Sequence, residues 1–465
     1  MQRQSLLLKL KNNLFKKRKA LIDILFVVLL VLFATCTKPS VSPQASGPST
    51  LTPTSPGVPV PYSLDRQRIY GTFGTCPSAF VQTKDGGSVI VSTETNTGYG
   101  ISILKLDPAG NQIWYKTISI DTYEFAADII ATLDNSFVIS ATGGGQGWDA
   151  LLLKIDQNGG LVKTKIIGGS GDEFGGALTE TADGSLWMAG STNSNDGDLT
   201  GVHAWGKTDA WLIKLTKDLD LVSQKRFGGS GDDTFTSITT SSDGNLLLAS
   251  HTQSTDGQIT GSHVTPGGPG QINGDYWISK VDLNGTLLWQ KDYGGSLDDW
   301  PFRIFECSNG NIVCSGQTLS GDGDITGYHN TSDHGVSNTT GDAWTIYLDA
   351  AGKLLWQKCS GGSGNENILS ICENAGNILL AGLSDSNDGD VLGNHGRTDT
   401  WLLELSTNGE LLWQHSFGGT RDDDGIKITA FADGSLSILS RTDSNDIDVA
   451  VSLAKGSIWM MKLTK

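Results

Sequence analysis

Positive charge is scarce in this chain. Of 465 residues, 33 are Lys or Arg and 50 are Asp or Glu, a formal net charge of −17. Residues 1–35 hold seven of the basic residues and one Asp, so the remainder carries 26 basic and 49 acidic side chains, a net charge of −23. A body this acidic repels nucleic acid and anionic lipid surfaces, so no nucleic-acid partner is expected. Long apolar runs are missing too. The run near the start, Ile24 to Ala34, has eleven residues, whereas a membrane-spanning helix needs about 20. Catalytic signatures are absent: there is no Walker loop, no Gly-x-Ser-x-Gly, no zinc-protease helix motif and no dinucleotide fingerprint. Gly143-Gly144-Gly145 reads as a loop with no following helix to hold phosphate. None of the six cysteines forms a Cys-x-x-Cys pair, which removes the common redox and zinc motifs.

The short apolar run fits a signal peptide. Lys9, Lys11, Lys16, Lys17, Arg18 and Lys19 precede it, and it ends in Phe33-Ala34-Thr35-Cys36. That ending resembles a bacterial lipobox, in which lipid is attached to the cysteine and the signal is cut just before it. Thr35 is less usual there than Gly, Ala or Ser, and a plain signal peptide or a short uncleaved anchor is the alternative. Seven of the twelve prolines then fall in residues 37–61, mixed with Ser and Thr. Such a stretch cannot bury a core and serves as an extended tether. The expected organisation is a lipoprotein signal peptide over 1–35, a tether over 36–61 and a folded body over 62–465. The protein is expected to be exported and lipid-anchored through Cys36 to the bacterial envelope, at the outer membrane, facing the periplasm or the exterior.

The body is rich in glycine, 60 residues in the whole chain, against roughly 7% in ordinary usage. It also repeats. An apolar strand pattern recurs seven times, as in Leu104-Lys105-Leu106-Asp107, Leu153-Lys154-Ile155-Asp156 and Ser279-Lys280-Val281-Asp282, at spacings of 49 to 67 residues. Each repeat reads as four short strands; in the first these are Ala79–Lys84, Ser88–Glu94, Ile101–Asp107 and Gln112–Thr117. Asp85-Gly86, Asp183-Gly184, Asp243-Gly244, Asn284-Gly285 and Asn408-Gly409 supply the tight turns between them. Seven four-stranded antiparallel units predict an all-β, seven-bladed β-propeller. Trp211, Trp277, Trp344, Trp401 and Trp459 fall on third strands, and Trp114, Trp289, Trp356 and Trp413 on fourth strands. They are expected to pack one blade against the next. The chain ends after a third strand, and Arg66–Gly74 matches the fourth-strand pattern of Leu412–Gly418. That N-terminal segment is expected to complete the last blade and close the ring, leaving no exposed edge.

The stretch Leu348-Asp349-Ala350-Ala351-Gly352-Lys353-Leu354-Leu355-Trp356 resembles the quinoprotein-like propeller repeat. The combined pattern over 62–465 resembles repeat lipoproteins of Bacteroidetes-type bacteria. The resemblance implies the propeller fold. Quinoprotein dehydrogenases usually have eight blades and often a vicinal cysteine pair beside the cofactor, so with seven repeats and no Cys-Cys no pyrroloquinoline quinone (PQQ) is expected.

Loop positions follow from blade topology. The long second-to-third-strand loops and the inter-blade links share one face, and loops on a rigid scaffold commonly carry function. A link motif Gly-Gly-Ser/Thr-x-Asp/Asn-Asp/Glu occurs at 168–173, 228–233, 294–299, 361–366 and 418–423. A second motif runs from Asn195-Asp196-Gly197-Asp198 to His203, and recurs at Asp256–His263, Asp322–His329 and Asp388–His395, with a degenerate copy at Asp446-Ile447-Asp448. Asp196, Asp198, Asp256, Asp322, Asp324, Asp388 and Asp390 offer hard oxygen ligands, which is calcium chemistry, although the EF-hand spacing is not met. His203, His263, His329 and His395 are candidate loop-face ligands that would turn the preference toward a transition metal. The alternative is structural: Asx-turns holding the loop, with each His capping nearby, as beside Asp209 or Asp399. The remaining cysteines, Cys76, Cys307, Cys314, Cys359 and Cys372, lie in or beside strands and read as packed apolar residues. A Cys307–Cys314 bridge joins adjoining strands but not opposed positions.

Repetition argues against a single catalytic centre, which needs a unique arrangement. The expected function is a binding or scaffold module of the cell envelope, acting on a protein or glycan through the acidic loop face, rather than an enzyme. A glycan-active hydrolase or lyase on the same scaffold is the alternative. A unique His or Glu in the channel would favour it.

Overall fold

The structure is a computed structural model that describes residues 61–71, 75–94, 100–120, 123–144, 147–264, 273–329, 340–449 and 456–465, with the backbone of the strand pair Ala45–Ser46. Cys36, the signal peptide and nearly all of the tether lie outside the described residues. Each sequence repeat becomes one sheet, giving seven antiparallel blades set in a ring. Blade one consists of Thr75–Gln82, Ser88–Glu94, Gly100–Leu106 and Gln112–Ile118. The first strands of blades two to seven are Glu124–Ala131, Glu173–Glu180, Asp233–Thr240, Asp299–Glu306, Glu366–Asn374 and Asp423–Ala430. First strands pack against first strands of neighbouring blades, so they line the axis while fourth strands form the rim.

The expected closure is present. Ser63–Tyr70 pairs antiparallel with Ser457–Thr464, setting Ser63 opposite Thr464 and Ile69 opposite Trp459. The paired strand starts earlier than the matched segment and ends at Tyr70. The inner strand of blade one also begins earlier than its apolar alternation indicates, at Thr75, because the register shifts between Pro77 and Ala79. The same irregularity recurs in the inner strand of every blade, for example at Phe235/Ser237 and Gly425/Lys427. A bulge resets the period-2 alternation, so the residues before it look out of pattern.

The core lies between blades. Trp211, Trp277, Trp344, Trp401 and Trp459 are fully buried. Each indole N–H donates to a glutamine on the adjacent fourth strand: Gln224, Gln290, Gln357, Gln414 and Gln67 in turn. Trp114 and Trp356 reach the neighbouring blade and donate to carbonyls of its turn, at Gln157 and Thr407. Trp413 donates to Glu404 of its own sheet and packs 5.4 Å from the Tyr62 ring. Cys307 and Cys314 are free and buried; Cys314 stands opposite Ile304, while Cys307 opens the hairpin turn. Among the described residues no helix is long and apolar enough to cross a membrane.

Candidate functional site

The loop face is built from buried acids outward. In blades three to seven the first strand opens with Glu173, Asp233, Asp299, Glu366 or Asp423, each fully buried. Such a carboxylate is tolerable only if donors surround it. Each accepts the backbone N–H of the second link glycine, Gly169, Gly229, Gly295, Gly362 and Gly419, at 2.7–2.9 Å. Hydroxyls of Thr192, Thr252, Thr318, Ser384 and Thr442 complete the sets. The link is thereby curled with its next N–H pointing outward.

That N–H is where the loop motif docks. Asp196, Asp256, Asp322, Asp388 and Asp446 accept it from Ser170, Ser230, Ser296, Ser363 and Thr420 at 2.6–2.9 Å. Two residues on, the backbone N–H of Asp198, Asp324, Asp390 and Asp448 donates to the carbonyl of Gly168, Gly294, Gly361 and Gly418. The carboxylates of Asp198, Asp324 and Asp448 also accept the N–H of Gly168, Gly294 and Gly418 at 3.1–3.4 Å. The middle residue takes a left-handed backbone: Gly197 has φ +59°, with a Cβ there 2.5 Å from the Gly168 carbonyl oxygen, and Ile447 holds the same place in blade seven at φ +57°. Asp-Gly-Asp thus clasps the long loop onto the link that enters its own blade. The strand-four glutamines add a second hold, since Gln224, Gln357 and Gln414 donate to the loop carbonyls of Asp198, Thr326 and Leu392.

Three of the candidate histidines repeat one arrangement. The backbone N–H groups of His263, His329 and His395 donate to Asp275, Asp342 and Asp399 at 2.7–2.9 Å. The Nδ1 atoms of His329 and His395 lie 2.7 and 2.9 Å from the same carboxylates. Each ring also faces the second motif Asp of the following blade: His263 to Asp324 at 3.8 Å, His329 to Asp390 at 4.0 Å and His395 to Asp448 at 3.7 Å. Burial pushes the Asp399 carboxyl up to about 7, against the lowering pull of His395. His203 departs from the pattern and stands edge-on to Trp205, with ring centres 4.8 Å apart. Asp209 there accepts the N–H groups of Trp205 and Gly206 and pairs with Arg226 at 3.3 Å.

The channel mouth breaks the repetition. The second residue of successive first strands is Phe125, Phe174, Thr234, Trp300, Asn367 and Asp424 in blades two to seven. Phe125 packs on Trp148 at 5.3 Å. His251 stacks on Trp300 at 3.8 Å, and its Nε2 lies 2.8 Å from Asp298. Its side chain is 2% exposed, so this unique histidine is buried. Arg441 is buried between Asp424 and Asp443, 3.1 Å from each. Further in, Lys427 of blade seven reaches Asp128 of blade two at 3.6 Å, a bridge between blades that are not neighbours. None of these residues stood out as a candidate in the sequence. Their signal is unequal chemistry at one repeat position. On the opposite face, at the seam between blades seven and one, a cleft is lined by Arg66, Arg68, Tyr70, Asp107 and Lys462.

No family model and no curated protein matches the chain. Solved structures are similar at low identity. A Bacteroides caccae protein of unknown function is 11% identical, with 71% of this chain and 93% of that one covered and a TM-score of 0.38. Hydrazine synthase of Kuenenia stuttgartiensis is 12% identical over 78% and 92% of the two chains, TM-score 0.45. The WD40 domain of Neurospora crassa Pan2 is 8% identical over 92% and 97%, TM-score 0.46.

Proposed function

We propose that the protein is an exported, lipid-anchored module of the cell envelope that binds a protein ligand through its acidic loop face. One observation carries this reading: five long loops are clasped to the blade links by repeated hydrogen bonds from link N–H groups to loop aspartates, while the chemistry that varies collects at the channel mouth they surround. Clasped loops lose little freedom when a partner docks, which favours affinity. Acidic side chains on the rim suit a partner presenting Lys and Arg. The buried position of His251 favours binding over hydrolysis.

Capture from the native envelope with the purified body tests this reading. A specific protein is expected to be retained by the wild type and lost with the pair His203→Ala and Trp205→Ala on the loop face. Lys217→Ala, on the opposite face, is expected to retain it. Equal retention by all three sinks the loop-face assignment, and binding to a glycan array without protein capture replaces the protein ligand by a glycan. The anchor is tested separately: Cys36→Ser is expected to release the protein from membranes into the soluble fraction.

A further inference from the structure

Blades three and four differ at one buried position of the loop face. In blade three the third strand opens with Asp209, and Arg226 stands opposite Trp211 on the fourth strand. Asp209 and Arg226 meet at 3.3 Å with both side chains buried, so the blade balances its own buried anion. In blade four the third strand opens with Asp275, and the residue opposite Trp277 is Asp292. An acid stands where blade three has a guanidinium. Blades five and six carry the neutral Cys359 and Ser416 there.

The consequence is a buried cluster with more acceptors than donors. Asp275 is fully buried and Asp292 is 8% exposed. Oδ2 of Asp275 accepts the N–H of His263 and the hydroxyl of Ser262. Its Oδ1, both carboxylate oxygens of Asp292 and Nδ1 of His263 have no hydrogen-bond partner among the described residues. The His263 ring has also moved off its carboxylate: Nδ1 is 3.8 Å from Asp275, against 2.7 and 2.9 Å for His329 and His395. One ligand atom from each of His263, Asp275 and Asp292 lies within 4.8 Å of the others, the one such group among the described residues. Two carboxylates this close and this buried need a positive charge between them.

We propose that His263, Asp275 and Asp292 bind one Zn2+ ion. One imidazole nitrogen and two carboxylate oxygens, with water in the fourth position, make a tetrahedral set that zinc accepts. Calcium takes six to eight oxygens and gains nothing from the imidazole. A shared proton would satisfy the two acids but leave Nδ1 of His263 idle. The His263 ring is one-third exposed, which gives an ion a way in from the loop face. The ion ties the long loop of blade four to its outer strand, doing the work that Arg226 does in blade three. The site is independent of any ligand bound at the channel mouth.

The test uses the purified protein, stripped with chelator and titrated with ZnCl2 by calorimetry, with melting followed in parallel. Wild type is expected to bind one equivalent and to melt at higher temperature when loaded. His263→Gln and Asp292→Asn are each expected to weaken binding at least tenfold. Asp292→Arg, which copies blade three, is expected to bind no zinc at this site and to melt at the same temperature with and without it. If Asp292→Arg does not fold, Asp292→Ser, which copies blade six, carries the same comparison. Failure of the wild type to bind stoichiometric zinc, a response to Ca2+ alone, or unchanged binding by the Asp292 variants overturns the site.

Discussion

Blades one and two are plainer than blades three to seven. They join their second and third strands through residues 95–99 and 144–148, where the other blades use loops of fourteen residues or more. At the position of the buried tryptophan they carry Ser102 and Leu151, opposite Thr117 and Ile166. Yet both keep four strands, the inner-strand bulge and a fully buried apolar interior. Alternation and turns are therefore sufficient for a blade. The tryptophan, its glutamine and the aspartate clasps are equipment for holding long loops.

The largest expected effect comes from Trp344, fully buried on the third strand of blade five. Trp344→Ala should destabilise by about 3–5 kcal/mol, measured by chemical denaturation. Trp344→Leu, which copies blade two, should cost distinctly less while loosening residues 319–329 in hydrogen exchange; equal costs would separate the tryptophan from the loop. Next is Asp299, which accepts from Gly295 N–H and from the hydroxyls of Thr318 and Ser320. Asp299→Ala strands three buried donors and should cost roughly 2–4 kcal/mol, again by denaturation.

A pH dependence follows from His415. Other blades carry Lys116, Lys165, Lys225, Lys291 and Lys358 at its place in the pairing. Burial, with a smaller push from His395, pulls the His415 imidazole down to about 4. Its folded value lies below the ordinary 6.5, so the fold favours the neutral ring. The contribution is complete above pH 6.5 and is lost as pH falls toward 4, by on the order of 2–3 kcal/mol. Melting curves from pH 7 to 4 should fall less steeply for His415→Gln. Smallest is Gln357→Leu, which cuts the link from Trp344 to Thr326. It should cost about 1 kcal/mol and speed amide exchange in residues 319–329 while leaving blade five protected.

The fold was legible because turns and periodicity are local. Asp243-Gly244 needs a positive φ, and Gly244 has it at +83°. The closing strand was legible because Arg66–Tyr70 repeats a fourth-strand pattern. The inner-strand starts were not, since the bulge at Pro77/Ala79 breaks the alternation that a strand is read from. At the loop face, repetition drew attention to Asp196, Asp256, Asp322 and Asp388, and the capping of His395 beside Asp399 matches the structural alternative. What a repeat search hides is the exception. Asp292, Trp300 and Asp424 sit where other blades carry different chemistry, and only three-dimensional equivalence makes them comparable.

The closing strand has a kinetic consequence. Residues 63–70 meet 457–464, so the pairing cannot form until nearly the whole body has been made. Closing a loop of that length first would cost roughly 5 kcal/mol of chain entropy. Once the blades between have stacked, their ends already face each other and the cost is small. Ring closure is therefore expected to come last in folding. A peptide matching Ser63–Tyr70 is then expected to compete for the last blade only while the ring is open.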